Sequence, residues 1–169
     1  MAGLMLARGA VAADAISVSS SDLQADRPIP DAYSAYHQNI SPSLAWFPVR
    51  GAKAYAVIVD DPDAPSPQPF VHWVAWNIPP EATGLPEGLN QRPGTVPHGM
   101  IEGTNGTGKT GYFGPRPPRG DPPHRYRFKV YALNEPLNIA PGTDKAGLLD
   151  AMEGHVLAEG ELVATYQKR

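Results

Sequence analysis

Ala54-Tyr55-Ala56-Val57-Ile58-Val59-Asp60, followed by Asp61-Pro62, is the stretch on which the fold turns. A nearly continuous apolar run, rich in β-branched residues, describes a central strand covered on both faces. It stops at Pro62, which has no N–H to extend a ladder. Pro65, Pro67 and Pro69 stiffen the loop that follows, and Phe70 to Ile78 (FVHWVAWNI) is a second strand, again apolar on both faces and ended by Pro79-Pro80. A loop this short suits an antiparallel return to the same sheet. Further on, Arg125 to Leu133 (RYRFKVYAL) alternates. Tyr126, Phe128, Val130 and Ala132 point one way, and Arg125, Arg127, Lys129 and Tyr131 point the other, as in a half-buried strand.

Outside these strands the chain is irregular. Asp26 to Asp31 is a loop with two prolines, Asn39 to Pro42 is a turn, and Leu44-Ala45-Trp46-Phe47 is a short strand. Residues 81–123 hold most of the glycine and proline and form a long excursion, of a length that usually serves function or moves. In the tail, Thr143 caps a predicted helix with Asp144 in its first turn. Leu148, Leu149, Met152, Val156 and Leu157 recur at helical spacing, weakened by Gly147, Gly154 and Gly160, and Leu162 to Tyr166 returns as a last strand. No repeat or linker divides the chain. The expectation is one mainly β domain over residues 1–169, with residues 1–28 as a variable N-terminal segment.

Composition narrows the function classes. The 169 residues are 41% hydrophobic, which excludes a disordered chain, and the 20 prolines and 17 glycines favour short strands joined by long loops. Fourteen basic residues against seventeen acidic ones, with no basic stripe, argue against nucleic acid as a partner. The absence of cysteine excludes disulfides and thiolate metal sites. No apolar run is long enough to span a membrane. Met1 to Ala15 faintly resembles an export signal, but it lacks a basic leading segment and Arg8 interrupts it. A cytoplasmic location is expected, with the periplasm as the alternative.

The polar residues of interest stand at strand ends. Asp61 follows the first strand and His72 opens the second, so an antiparallel return brings them to the same end. His124 shares the parity of Tyr126 and Phe128 and therefore faces the covered side with Tyr126. Singly, each is ordinary: an Asp before proline forms turns and a strand-end histidine bonds at a rim. Together they converge in an apolar setting, as small-ligand sites do.

Three other signals compete. Gly103 to Thr110 (GTNGTGKT) matches the phosphate-loop pattern, but Gly111-Tyr112-Phe113-Gly114-Pro115 follows it, where no helix can start, so nucleotide hydrolysis is not expected. Asp61, His72 and His124 make a two-histidine, one-carboxylate set of the kind that holds iron or zinc; such sets also arise by coincidence, and no metal is assigned. His and Asp pairs can do acid–base work, but Ser41 and Ser66, the nucleophiles such a hydrolase would use, lie beside proline in turns.

The motifs also carry a resemblance. DPDAP at 61–65, VHW at 71–73, GPRPPRG at 114–120 and HRY at 124–126 look like the signature of the phosphatidylethanolamine-binding protein (PEBP) family. NISPSLAW at 39–46 and AMEGHVLAEGELVATYQ at 151–167 agree, the latter resembling the bacterial Raf-kinase-inhibitor-like branch. The resemblance implies a β-sandwich in which a large antiparallel sheet packs on a smaller one, with a short C-terminal helix and long Pro/Gly-rich loops. It implies a pocket for a small anion or phospholipid headgroup, with no cofactor and no catalysis. The pocket residues it implies are Asp61, Asp63, Ala64, Pro65, His72, Pro117, Pro118, His124 and Tyr126. Eukaryotic members often carry a polar residue where this chain has Val71, and the bacterial branch lacks their longer C-terminal segment, so kinase regulation is not carried over.

An arriving phosphate can protonate the imidazoles and accept from the tyrosine hydroxyl. Asp61 and Asp63 would repel that ligand, so they are expected to orient the histidines or bond loop amides, favouring imidazolium. The alternative role is a protein-interaction module, an inhibitor of a protease or kinase acting through loops 62–70 and 100–120. A homodimer, as bacterial relatives resemble, is compatible with either role.

Overall fold

The computed structural model describes residues 14–89, 91–92 and 94–169. The signal-like start therefore lies, through residue 13, outside the described residues. The strands are β1 (Asp14–Ala15), β2 (Val18–Ser19), β3 (Leu44–Trp46), β4 (Ala54–Asp61), β5 (Phe70–Ile78), β6 (Gly84–Leu85), β7 (Ile101–Glu102) and β8 (His124–Leu133), then helix α1 (Lys145–Met152) and strand β9 (Val156–Tyr166). They form a six-stranded sheet in the order β1-β9-β8-β4-β5-β7 and a three-stranded sheet in the order β2-β3-β6. Pairing is antiparallel except where β1 runs parallel to β9.

The continuous apolar run of β4 has a structural cause. Tyr55, Val57 and Val59 pack with Trp73, Tyr126 and Phe128 against Leu44, Trp46 and Leu85 of the small sheet. Ala56 and Ile58 face the other way, with Val74, Trp76 and Leu133, and are covered by Leu148 and Met152 of α1. Each face of β4 thus serves a separate core, so neither can be polar. The exceptions are Asp61, at the strand's end, and Asp60, fully buried. The Asp60 carboxylate accepts from Lys145 Nζ at 2.6 Å and Arg127 Nε at 2.8 Å, with Lys129 Nζ at 3.6 Å. Lys145 is the first residue of α1, so this cluster ties the helix to the sheet.

The tail differs from the sequence expectation. Asp144, not Thr143, caps the helix: its side chain accepts from the Gly147 amide at 2.9 Å, while Thr143 Oγ1 donates to the Ala140 carbonyl. The helix ends at Met152, and Gly154 takes a positive φ of 79° at the turn. Val156 and Leu157 belong to β9, which pairs with β8 from Leu133↔Val156 to His124↔Tyr166. An eight-residue helix gains little alone, whereas the edge of β8 offers a full ladder.

Gly160 on β9 makes the close approach of the N-terminal segment possible. A Cβ there would lie 1.8 Å from the Ile16 carbonyl oxygen. Gly160→Ala is expected to displace residues 14–19 and cost about 1–3 kcal/mol. Urea unfolding with hydrogen exchange at the Ile16 amide, which donates to the Glu159 carbonyl, checks this; unchanged protection would contradict it.

Candidate functional site

Strand register brings the ends of β4, β5 and β8 together. Asp61 pairs with Phe70 at the turn between β4 and β5, and His124 opens β8, which pairs with β4 on the other side. At this end lies a cavity of about 180 Å³. Of the residues singled out from sequence, Asp61, Ala64, Pro65, His72, Pro117, Pro118, His124 and Tyr126 line it. Phe70, Phe113 and Arg116 line it as well. A larger, more open cleft of about 600 Å³ lies between residues 104–108 and the start of α1, but the histidines and the tyrosine converge only on the small cavity.

Asp63 is the residue that the structure places elsewhere. Arg125, on the outward face of β8, captures its carboxylate: Nε at 2.9 Å, an Nη at 2.8 Å and the Arg125 amide at 2.9 Å all donate to it. The Arg125 hydrogen bonds hold the Asp63 carboxyl down to about 2. Asp63 therefore anchors the 61–65 loop to β8 instead of facing a ligand.

Asp61 is buried and committed. One oxygen accepts a hydrogen bond from His124 Nδ1–H at 2.8 Å and the other accepts from the Asp63 amide at 2.9 Å. On the far side of the ring, His124 Nε2 lies 3.2 Å from Asp121 Oδ2. Carboxylates at both nitrogens make both of them donors. Burial works against a charge on His124, but the hydrogen bonds and charges of Asp61 and Asp121 outweigh it and raise its pKa.

His72 behaves oppositely, against the expectation of imidazolium at both rings. Its Nδ1 is 2.6 Å from the Phe113 carbonyl oxygen. A carbonyl only accepts, so Nδ1 carries the proton. Burial lowers the pKa of this ring and outweighs the help it receives from Phe113 and Asp61, which favours the neutral form of His72. It stacks on Phe113 (5.9 Å, 10°) and meets the Tyr126 ring edge-on at 5.1 Å. The Tyr126 hydroxyl is buried and has no partner within hydrogen-bonding distance among the described residues. Burial, then the nearby charge of Asp61, raises its pKa.

The loop that forms the wall is pinned at several points. The Phe113 amide donates to the His72 carbonyl at 2.9 Å, the Gly114 amide to Asn39 Oδ1 at 2.7 Å, and Tyr36 hydroxyl to the Pro117 carbonyl at 2.8 Å. The Arg116 guanidinium lies 5.7 Å from the centre of the Tyr36 ring. Phe70 was missed in the sequence, although its parity with His72 on β5 is a signal that could have found it. Phe113 was not, because only the folded excursion brings it there.

The competing motifs resolve differently. Residues 103–110 fold into a tight turn with a Thr104↔Thr110 bridge, and Asn105 Nδ2 donates to the Gly111 carbonyl at 2.8 Å; no helix starts directly after it. Neither Ser41 nor Ser66 lines the cavity. Among the described residues, no three His, Cys, Asp or Glu side chains gather to hold a metal ion. Among them, too, no helix is long and apolar enough to cross a membrane.

Comparison with known proteins gives this geometry a context. The family model described as "Phosphatidylethanolamine-binding protein" matches residues 19–167. A UPF0098 protein of Methanothermobacter thermautotrophicus is 48% identical over 141 residues, covering 83% of this chain and 91% of that protein. The crystal structure of CT736 from Chlamydia trachomatis, described as a putative PEBP homologue, superimposes with a TM-score of 0.82 at 36% identity, covering 93% of this chain and all of that one. That of Escherichia coli YbcL, described as a member of the mammalian PEBP family, superimposes with a TM-score of 0.85 at 33% identity, covering 91% of this chain and 99% of that one.

Proposed function

Because the chain belongs to the phosphatidylethanolamine-binding protein family, we propose that its small cavity holds an anionic group, such as the phosphate of a phospholipid headgroup, without a cofactor and without chemical conversion. The observation that carries this reading is the Tyr126 hydroxyl. It is buried, beside His72, Phe113, Pro117 and Pro118 of the cavity lining, and within hydrogen-bonding distance it has no partner among the described residues. Such a group costs about 1–3 kcal/mol unless something bonds it. A ligand oxygen in the cavity would remove that cost. Arg116 at the wall supplies a positive charge, and about 180 Å³ suits a headgroup phosphate, not an acyl chain.

Acid–base chemistry fits the site less well. Asp61 is tied to His124 and to a loop amide, and both nitrogens of His124 face carboxylates. A general base needs a lone pair open to substrate. A neutral His72 can take up a proton as an anion arrives, which strengthens binding without turnover.

Tyr126→Phe separates binding from folding. Calorimetry with inorganic phosphate is expected to show binding weakened about tenfold, the worth of one hydrogen bond to a charged ligand. Urea unfolding is expected to show stability unchanged or raised by about 1 kcal/mol, because an unpaired buried hydroxyl is gone. Equal phosphate affinity in both proteins would contradict the reading.

A further inference from the structure

We infer that Asp121 is a built-in competitor at this site: its carboxylate holds the His124 Nε2–H that an anion in the cavity would use, and the anion must displace it to bind. The inference rests on the anion-binding reading above. It starts from the two unequal contacts of one ring. Asp61 holds Nδ1 at 2.8 Å with its side chain 4% exposed, whereas Asp121 holds Nε2 at 3.2 Å with its side chain 38% exposed. The longer, wetter bond is the weaker one and the one open to exchange. His124 lines the cavity, but Asp121 does not. His124 thus borders the cavity while its Nε2–H is held by a group outside it.

The loop is built so that the carboxylate can leave while the backbone stays. The Asp121 carbonyl accepts from Gln167 Nε2 at 3.0 Å and its amide donates to the Pro118 carbonyl at 3.3 Å. Arg119 donates to the Arg169 carbonyl at 2.6 Å. These bonds fix the main chain against Pro118 of the cavity wall and against the chain beyond β9. The carboxylate, by contrast, is 38% exposed and lies on the solvent side of the ring it holds. A neutral acceptor cannot replace a carboxylate opposite an imidazolium on equal terms, whereas a phosphate oxygen can. Asp121 thereby tunes the site toward anions and sets how tightly they bind.

The test is phosphate calorimetry on the wild-type chain, Asp121→Ala and the shape-preserving Asp121→Asn, at low salt and at about 0.5 M salt, where a through-space charge effect is screened. Both variants are expected to bind inorganic phosphate more tightly, Asp121→Ala by about tenfold, with the gain surviving in high salt. Binding by the variants where the wild type shows none would support the inference in its strongest form. Equal affinity in all three, or a gain that vanishes in high salt, would overturn it and leave the anion-binding reading intact. No binding by any of the three would overturn both. Asp121→Asn keeps the test open should the alanine variant fail to fold.

Discussion

Asp60→Ala is expected to lose about 3 kcal/mol of folding stability at neutral pH, the lower end of what breaking a buried ion pair costs. The lower end applies because Arg127, Lys129 and Lys145 are 20–30% exposed and can partly rehydrate once their carboxylate is gone. The loss should be uneven. Lys145 begins α1, whose Leu148 and Met152 cover the second core, so hydrogen exchange in α1 should rise before that in β8. The pH dependence follows from the sign of the shift. Burial opposes the charge on Asp60, but Lys145 and Arg127, with Lys129, outweigh it and hold its pKa below the ordinary 3.8. The stabilisation is then complete above that value and lost as pH falls through the lower folded one. Urea unfolding at about pH 7 and pH 3 should show the gap between wild type and variant closing in acid. A loss under about 1 kcal/mol at pH 7 would mean that solvent already screens the cluster.

Asp61→Ala should be almost as costly, about 2–3 kcal/mol, because it strips a buried ring of its nearer carboxylate and leaves the Asp63 amide unpaired. His124 would keep only Asp121. With burial less opposed, its pKa should drop from its raised value toward or below the ordinary 6.5. A raised histidine pKa contributes stability in full below 6.5 and loses it as pH climbs through the folded value. The deficit of Asp61→Ala should therefore be larger at about pH 6 than at about pH 9. An NMR titration of the His124 ring reads the shift directly. An unmoved titration would show that Asp61 does not set the charge of His124.

What the sequence could reveal follows from which interactions are local. β4, β5 and β8 were legible because their composition and alternation reflect burial of each residue on its own face. Parity alone turned His124 and Tyr126 inward, and the short proline-rich loop was enough to bring Asp61 to the end where His72 begins. β9 was only half legible. Val156 and Leu157 continue a helical spacing, and nothing within the tail says that the free edge of β8 outbids one more helical turn. The partner of Asp63 was not legible, because it is Arg125, a residue read as outward whose reach across the loop has no sequence signature. The two histidines show the same limit. As residue types they are alike, yet a backbone carbonyl from the long excursion bonds His72 while two carboxylates bond His124. One of those, Asp121, lies three positions upstream of His124 in a stretch that reads simply as loop.

The central claim is that an anion completes the hydrogen bonding of this cavity. A crystal structure of the chain grown with saturating phosphate tests it most directly. The account predicts tetrahedral density between His72 and His124, with one oxygen within hydrogen-bonding distance of the Tyr126 hydroxyl. A cavity holding only water at saturating phosphate, with that hydroxyl bonded to solvent, would contradict it.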